Sequence, residues 1–522
     1  MNCVYRAALS YVTGSHGFKF GFQQQNAFLS PLYEAPADYE LTLVRGVPNA
    51  VTFLPTPFRL TNYAYKSSAF AQDQWSVNRV TMNLGVRWDR LGTRYPDYDL
   101  KATNLLPARQ FSDADVFKWN DLSPRLGASW DVFGNGKTAV KAAMSRYVLQ
   151  GTMDLTRVVD PTTSSAGTLT RTFADANGDF VPQGDPLNPA ANGELGPSPN
   201  QNFGRLVRTL TYDPKWAEGF GVRTYNWEFS TGIQQELRPG MSANVAFYRR
   251  HYGNFTVTDN TLVSAANYDP FCITAPSNSR LPNGGGQQIC GLRDLNPASL
   301  GRLQNLGTLS KDYGKQTETW QGVDMALNAR LKSKATLQGG FSFGRSVTDN
   351  CEIFAKVPEA GTTGIATPLG GAYCRQVQPY QKQIKLLGSY NLPWALVVSG
   401  TFQSVPGAVV SANAVANNTQ IAPSLGRNLS AGATATTTIN LIAPNSVYGD
   451  RINQIDMRLT RVFTVRTARI RAMVDLYNLA NRSTIVAWNN TYGALAGGGA
   501  TWLTPLGILP ARLLKLGVQL DF

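Results

Sequence analysis

The chain has 522 residues, 43% hydrophobic and only 16% charged, whereas soluble globular proteins carry about 25% charged residues. Its 48 Lys and Arg against 34 Asp and Glu leave a net charge of +14, but these cations are scattered through every segment without zinc-finger or recognition-helix spacing, which sets nucleic acid aside as a partner. No stretch approaches the roughly 18 consecutive apolar residues of a membrane helix, so any crossing of a bilayer falls to strands.

In chain order, Met1-Asn2-Cys3-Val4-Tyr5-Arg6 lacks the basic region and apolar core of a signal peptide. Export then requires a start upstream, or makes this chain a fragment. A strand near 3–13 runs into the tight turn Gly14-Ser15-His16. The stretch 79–92 sets Val80, Met82, Leu84, Val86 and Trp88 on one face against Thr81, Asn83, Arg87 and Asp89 on the other. A period of two with one greasy and one wet face marks a strand between unlike media.

Gly134-Asn135-Gly136-Lys137-Thr138 shares its ending with a phosphate-binding loop. The first glycine of that motif would fall at Asp131, and a strand pattern follows instead of a helix, so this is read as a hairpin turn. Asp175-Ala176-Asn177-Gly178-Asp179 places oxygen ligands at alternate positions, making Asp175, Asn177 and Asp179 the candidate metal set. Pro186 stands where a calcium loop needs its bidentate Glu, and an Asn-Gly turn is the simpler reading.

The two-faced pattern returns at 222–236, with Tyr225, Trp227, Phe229 and Ile233 against Asn226, Glu228, Ser230 and Gln234. A turn at Arg238-Pro239-Gly240 follows, then Met241, Ala243, Val245 and Phe247 against Ser242, Asn244 and Tyr248. Strands 334–346, 452–463 and 466–478 repeat it. At the end of the chain Leu514, Leu516, Val518, Leu520 and Phe522 alternate with Lys515, Gly517, Gln519 and Asp521. These five apolar residues are read as the membrane-insertion face of a closing strand, its last aromatic at the interface. Tyr225, Trp227, Tyr390 and Trp394 are read as interfacial girdle residues.

Short turns fall near 76–78, 134–136, 238–240, 332–333, 392–393 and 464–465, and long loops near 93–122, 149–220, 251–316, 347–380, 405–451 and 479–510. Short turns at one rim and long loops at the other are the asymmetry of an outer-membrane barrel, whereas a soluble sandwich or propeller spaces its turns evenly. The pattern predicts an all-β chain: a transmembrane antiparallel β-barrel of about seventeen strands, one domain over residues 1–522, in the cell outer membrane. The long loops, rich in Gly, Pro, Asn, Ser and Thr, are expected to be exposed.

Of five cysteines, Cys272 and Cys290 share one outer loop and Cys351 and Cys374 share another, so the disulfides Cys272–Cys290 and Cys351–Cys374 are expected in that oxidising compartment. Cys3 is left over as a thiol without a role. Metal binding by these cysteines is disfavoured, because neither pair has C-x-x-C spacing or His neighbours. His16 and His251, the two histidines, sit in a turn and past a strand end with no Ser/His/Asp arrangement around them. No enzyme and no cofactor is expected.

The chain resembles the C-terminal barrel of TonB-dependent outer-membrane receptors, in particular the large Oar-like kind. The matching segments are Ser10-Tyr11-Val12-Thr13-Gly14-Ser15-His16-Gly17-Phe18-Lys19-Phe20-Gly21, Phe70-Ala71-Gln72-Asp73-Gln74-Trp75 and Asn83-Leu84-Gly85-Val86-Arg87-Trp88-Asp89. Ser123-Pro124-Arg125-Leu126-Gly127-Ala128-Ser129-Trp130-Asp131, Arg451-Ile452-Asn453-Gln454-Ile455-Asp456 and Asp475-Leu476-Tyr477-Asn478-Leu479-Ala480-Asn481 follow in order. The resemblance implies a barrel of about 22 strands closed by an N-terminal plug. It also implies a coupling box that contacts TonB. Plug, box and about five early strands have no counterpart here. The expected function is an outer-membrane receptor or transporter barrel for TonB-dependent uptake of an unidentified bulky ligand, N-terminally incomplete. The expected partners are outer-membrane lipid, the barrel assembly machinery, the ligand, and TonB through the missing part. The alternatives are a passive pore or adhesin-like barrel without energy coupling, and a soluble secreted all-β protein.

Overall fold

The structure, a computed structural model, describes residues 2–151, 153–200, 203–331, 334–362, 371–466 and 468–521. Its long strands, in chain order, are β1 (Asn2–Thr13), β2 (His16–Leu29), β3 (Asn62–Val77), β4 (Val80–Tyr95), β5 (Ala114–Asp131), β6 (Thr138–Val148), β7 (Tyr225–Arg238) and β8 (Met241–Gly253). They continue as β9 (Thr317–Leu331), β10 (Ala335–Asp349), β11 (Gln381–Leu392), β12 (Leu396–Val405), β13 (Ile452–Val465), β14 (Ala468–Tyr477) and β15 (Leu513–Asp521). Each pairs antiparallel with the next in sequence. A meander of this kind needs only tight turns at one rim, and Gly14 (φ +55°) and Gly240 (φ +81°) supply the left-handed backbone two of those turns require.

The sheet holds 17 strands, the number expected, but two of them are three-residue pieces. Glu218–Phe220 lies parallel to Lys118–Asn120 of β5, and Arg375–Val377 lies beside Val347–Asp349 of β10. Among the described residues β1 pairs with β2 alone and β15 with β14 alone.

Register keeps each face uniform across strands. Gln23, Ser68, Asp89 and Asp121 stand in one row, and the neighbouring row is Phe22, Ala69, Trp88 and Leu122. A slip of one residue would exchange the two faces, so register is strongly specified. The apolar rows are the ones left uncovered. Leu84, Val86, Phe229, Val245, Phe247 and Leu459 are all exposed, and in β15 Leu516 is 72% and Val518 69% accessible. An uncovered apolar belt of this extent on a regular sheet is what a bilayer covers and water does not tolerate.

The buried core lies instead in the long connections. The largest apolar cluster joins Phe271, Ile273, Ile289 and Leu292 to Ile421, Ile439, Leu441, Tyr492 and Trp502, drawing on three loops. A second joins Val51 and Phe53 to Leu169, Phe173 and Leu195. The expectation of exposed loops is therefore corrected: they pack into folded caps, because alternating apolar residues within them pair as short strands. Two boundaries are corrected because long strands of the sheet run further than the pattern suggests. Strands β4 and β5 reach into the expected loop 93–122, where Phe117 and Trp119 are buried with Leu91 against Trp216 and Leu309. Residues 464–465 belong to β13, with the reversal after them, and the turn expected at 332–333 lies outside the described residues.

Candidate functional site: a charged wall beneath folded outer loops

The largest cap is built around the hairpin Tyr268–Thr274 and Gln288–Leu295, whose strands the Cys272–Cys290 disulfide joins. A helix, Asn418–Leu425, packs on this hairpin. Asn417 caps its N-terminus, accepting from the Thr419 N–H at 3.0 Å, while Gln420 accepts from the Asn417 N–H at 2.9 Å. Arg427, just past the helix, clamps the hairpin by donating to Asp269 at 2.6 Å and Asp294 at 2.5 Å. Trp502 is 0% exposed and donates its indole N–H to the Ser411 carbonyl at 2.8 Å, which satisfies its one polar group. Cys351 and Cys374 are also bonded, and their loop meets the first at Gly291 and Gly371, where a Cβ on either would strike the other's backbone.

The connection after β6 is tied down by two carboxylates, one buried and one half-buried. Asp160, 1% exposed, accepts from the Tyr98 hydroxyl (2.7 Å), the Asn62 amide (2.7 Å) and the Thr162 N–H (2.9 Å). Burial pushes the Tyr98 hydroxyl well above the usual tyrosine range. Asp213 accepts from the Thr308 hydroxyl at 2.7 Å and caps the helical turn Pro214–Ala217 through the Lys215 N–H at 2.9 Å. The Thr308 bond foremost, then the Lys215 N–H, hold its carboxyl below the ordinary aspartate value. Burial raises the neighbouring Tyr212 hydroxyl to about 12.

Below this cap the wall has a fissure. Strands β5 and β6 pair only from Arg125/Ser145 to Asp131/Ala139; nearer the long loops β6 follows β7 and leaves β5. Charged side chains fill the gap. Arg223 donates to Asp121 at 2.5 Å, and Arg146 lies 3.6 Å from the same carboxylate. Arg146 also donates to the Leu122 carbonyl at 2.8 Å, closing what the ladder leaves open. On the polar face beside the fissure, Arg87 holds Asp89 at 2.9 Å and donates to the Ser68 hydroxyl at 2.6 Å. Sequence reasoning missed this cluster, since Asp121 lies within β5, Arg146 near the end of β6 and Arg223 in the connection before β7, and only the fold brings them together.

The residues singled out from the sequence are placed as follows. Asp175, Asp179 and Glu194 bring carboxylate oxygens within 4.8 Å of one another. Asn177 instead donates to Asp179 at 3.0 Å, so Glu194 replaces it in the cluster. These oxygens already accept backbone N–H groups of Gly178, Val181 and Ala176, the pattern of a self-satisfied turn. Glu194 could not be found by spacing, because the fold rather than the motif delivers it. Leu514, Leu516, Val518 and Leu520 all lie exposed on β15, while Phe522 lies outside the described residues.

Trp394 is exposed at the turn after β11, and Tyr390 is exposed near it. Tyr225 carries the Arg146 guanidinium 4.6 Å from its ring centre. Residues 134–138 form a hairpin connection in which Asp131 accepts the N–H groups of Gly134 and Gly136. His16 bonds Asp73 at 2.7 Å and stacks on Phe18 and Trp75, and His251 pairs within β8 between Trp227 and Thr319.

Residues 1–501 match a family profile described as an outer membrane beta barrel domain. The TonB-dependent transporter Oar of Myxococcus xanthus is 39% identical over 87 residues, 16% of this chain and 7% of that protein. Among solved structures, the outer membrane transporter YddB from Escherichia coli superposes with a TM-score of 0.50 at 13% identity, over 99% of this chain and 53% of that one. The ferric-catecholate import receptor Fiu from K12 E. coli gives 0.45 at 11% identity, over 99% and 54%. The chain thus spans about half the length of these solved proteins.

Proposed function

Because the chain belongs to the outer membrane beta barrel domain family, we propose that it is the barrel of a TonB-dependent receptor, taking up a bulky ligand that its folded outer loops capture. The observation that carries this reading is the inverted packing: the apolar rows of the sheet are exposed and the apolar core sits in the disulfide-pinned loops. Lipid then covers Leu514, Leu516, Val518 and Leu520, and β15 is the strand that the barrel assembly machinery receives. A receptor of this kind is not an enzyme, and no catalytic role is assigned to His16 or His251.

Two sheet edges without a partner among the described residues are costly in lipid, where each backbone group must be satisfied. In this reading further strands, a plug and the TonB-contacting box outside residues 1–522 complete the receptor. The test is uptake by proteoliposomes. The purified chain alone is expected to show no TonB-dependent uptake, and uptake without any added plug rejects the proposal. Steady ion conductance through the chain alone would instead favour a passive pore.

A further inference from the structure

Beside the β5–β6 fissure lies a cavity of about 260 Å³. Its lining carries five cations, Lys66, Arg87, Arg125, Arg146 and Arg223, against the single carboxylate of Asp89. Two of the five, Arg146 and Arg223, share Asp121, which stands in the same row as Asp89, and a third, Arg87, is held by Asp89. Lys66 and Arg125 make no ion pair with any described residue. Lys66 is half-buried, and Arg125 places its guanidinium 5.2 Å over the ring of Tyr147, which also lines the cavity. Among the described residues Ser123, 3% exposed, has no partner for its hydroxyl, and Arg223, 6% exposed, has none for one terminal nitrogen. A second cavity of about 320 Å³ adjoins the first and shares Arg87 and Arg125 with it, adding the carboxylate of Asp73.

We propose that this cavity binds a small oxyanion, a solute bearing carboxylate or phosphate groups, within the barrel lumen. Surplus positive charge is costly where water is partly excluded, and an anion removes that cost. Guanidinium groups offer paired N–H donors that match either oxyanion, while Lys66 supplies a point charge. The cavity volume suits a compact polyanion rather than a chain segment. The site rests on the receptor reading only for its meaning in transport, since binding is measured without uptake.

The test is calorimetric titration of the purified chain in uncharged detergent, at fixed ionic strength, with inorganic phosphate and with citrate. Saturable binding of at least one is expected, and the preferred anion identifies the source. The Lys66→Gln/Arg125→Gln double variant is expected to bind about tenfold or more weakly, while Arg330→Gln in β9 leaves binding unchanged. Both variants are checked for folded, heat-modifiable migration. Should the double variant not fold, Arg125→Gln alone provides the measurement, as its exposed side chain holds no buried partner. Absence of saturable binding by the wild-type chain, or equal binding by the double variant, overturns the proposal. Anion binding without any uptake by the completed receptor would sink the transport reading and leave this site standing.

Discussion

Arg223 and Asp121, 102 residues apart, form an ion pair at 2.5 Å in which the carboxylate is wholly buried. It closes the wall where β5 and β6 part, and Arg146 leans on the same carboxylate. Removing one member of a buried pair leaves the others uncompensated, at about 3–5 kcal/mol. Asp121→Ala is therefore expected to lower the urea concentration at which the folded, heat-modifiable band disappears. A midpoint equal to that of the wild type would show that water already solvates the fissure.

The lipid-facing assignment of β15 predicts an asymmetry between adjacent residues. Val518→Arg places a charge among exposed apolar side chains and is expected to cost about 2–4 kcal/mol near the bilayer centre. Gln519→Glu falls on the opposite face, directly across from Arg471, and is expected to be tolerated. Assembly yields of the two variants in outer-membrane fractions decide the matter; equal yields contradict a lipid-facing row.

Trp502 is the largest fully buried side chain of the outer cap. Trp502→Ala is expected to cost about 3–5 kcal/mol. The loss falls on the cap, because Trp502 packs with Tyr492 and the loop cluster rather than with the sheet. Limited proteolysis should open 409–442 and 488–509 while heat-modifiable migration persists. Loss of both together would mean that cap and sheet fold as one unit.

The Cys272–Cys290 bond closes a separation of 18 residues, for which loop-closure entropy gives roughly 3 kcal/mol. Cys272→Ser/Cys290→Ser is expected to raise hydrogen exchange in Tyr268–Leu295 and leave β8 and β9 protected. Arg427 and its two carboxylates remain to hold the hairpin, so it should loosen rather than unfold. Unchanged exchange in the hairpin would assign the stabilisation to Arg427 alone.

Asp213 supplies a pH dependence whose sign is fixed by its depressed carboxyl. A carboxyl lowered on folding stabilises above its unfolded value, near 3.8, and that contribution is lost as pH falls through the folded value. Asp213→Asn is thus expected to loosen the cap at pH 7 and to differ little from the wild type near pH 3. Cap melting followed by Trp216 fluorescence at the two pH values measures this. A difference that stays constant with pH would leave the charge without a role.

Much of the sheet was legible because its pattern is local. The rows Val80–Trp88 and Leu514–Leu520 alternate with a strict period of two, and alternation specifies both the strand and the face that lipid receives. Tight turns at Gly14 and Gly240 read equally well, since a left-handed backbone selects glycine. Pairing of each cysteine within its own loop needed no more than the order of loops.

What the sequence determined by itself was therefore the kind of surface: which side chains stay wet, which meet hydrocarbon, and in what order the strands follow. The tertiary structure alone decided where charge collects and where the core lies. Asp121, Arg146 and Arg223 are far apart in the chain, and they meet only because β6 abandons β5 above Ser145. Glu194 joins Asp175 and Asp179, and Trp502 joins Ile421 and Phe271, for a similar reason. Contacts of this kind depend on register and loop closure over long separations, and no short-range periodicity encodes them.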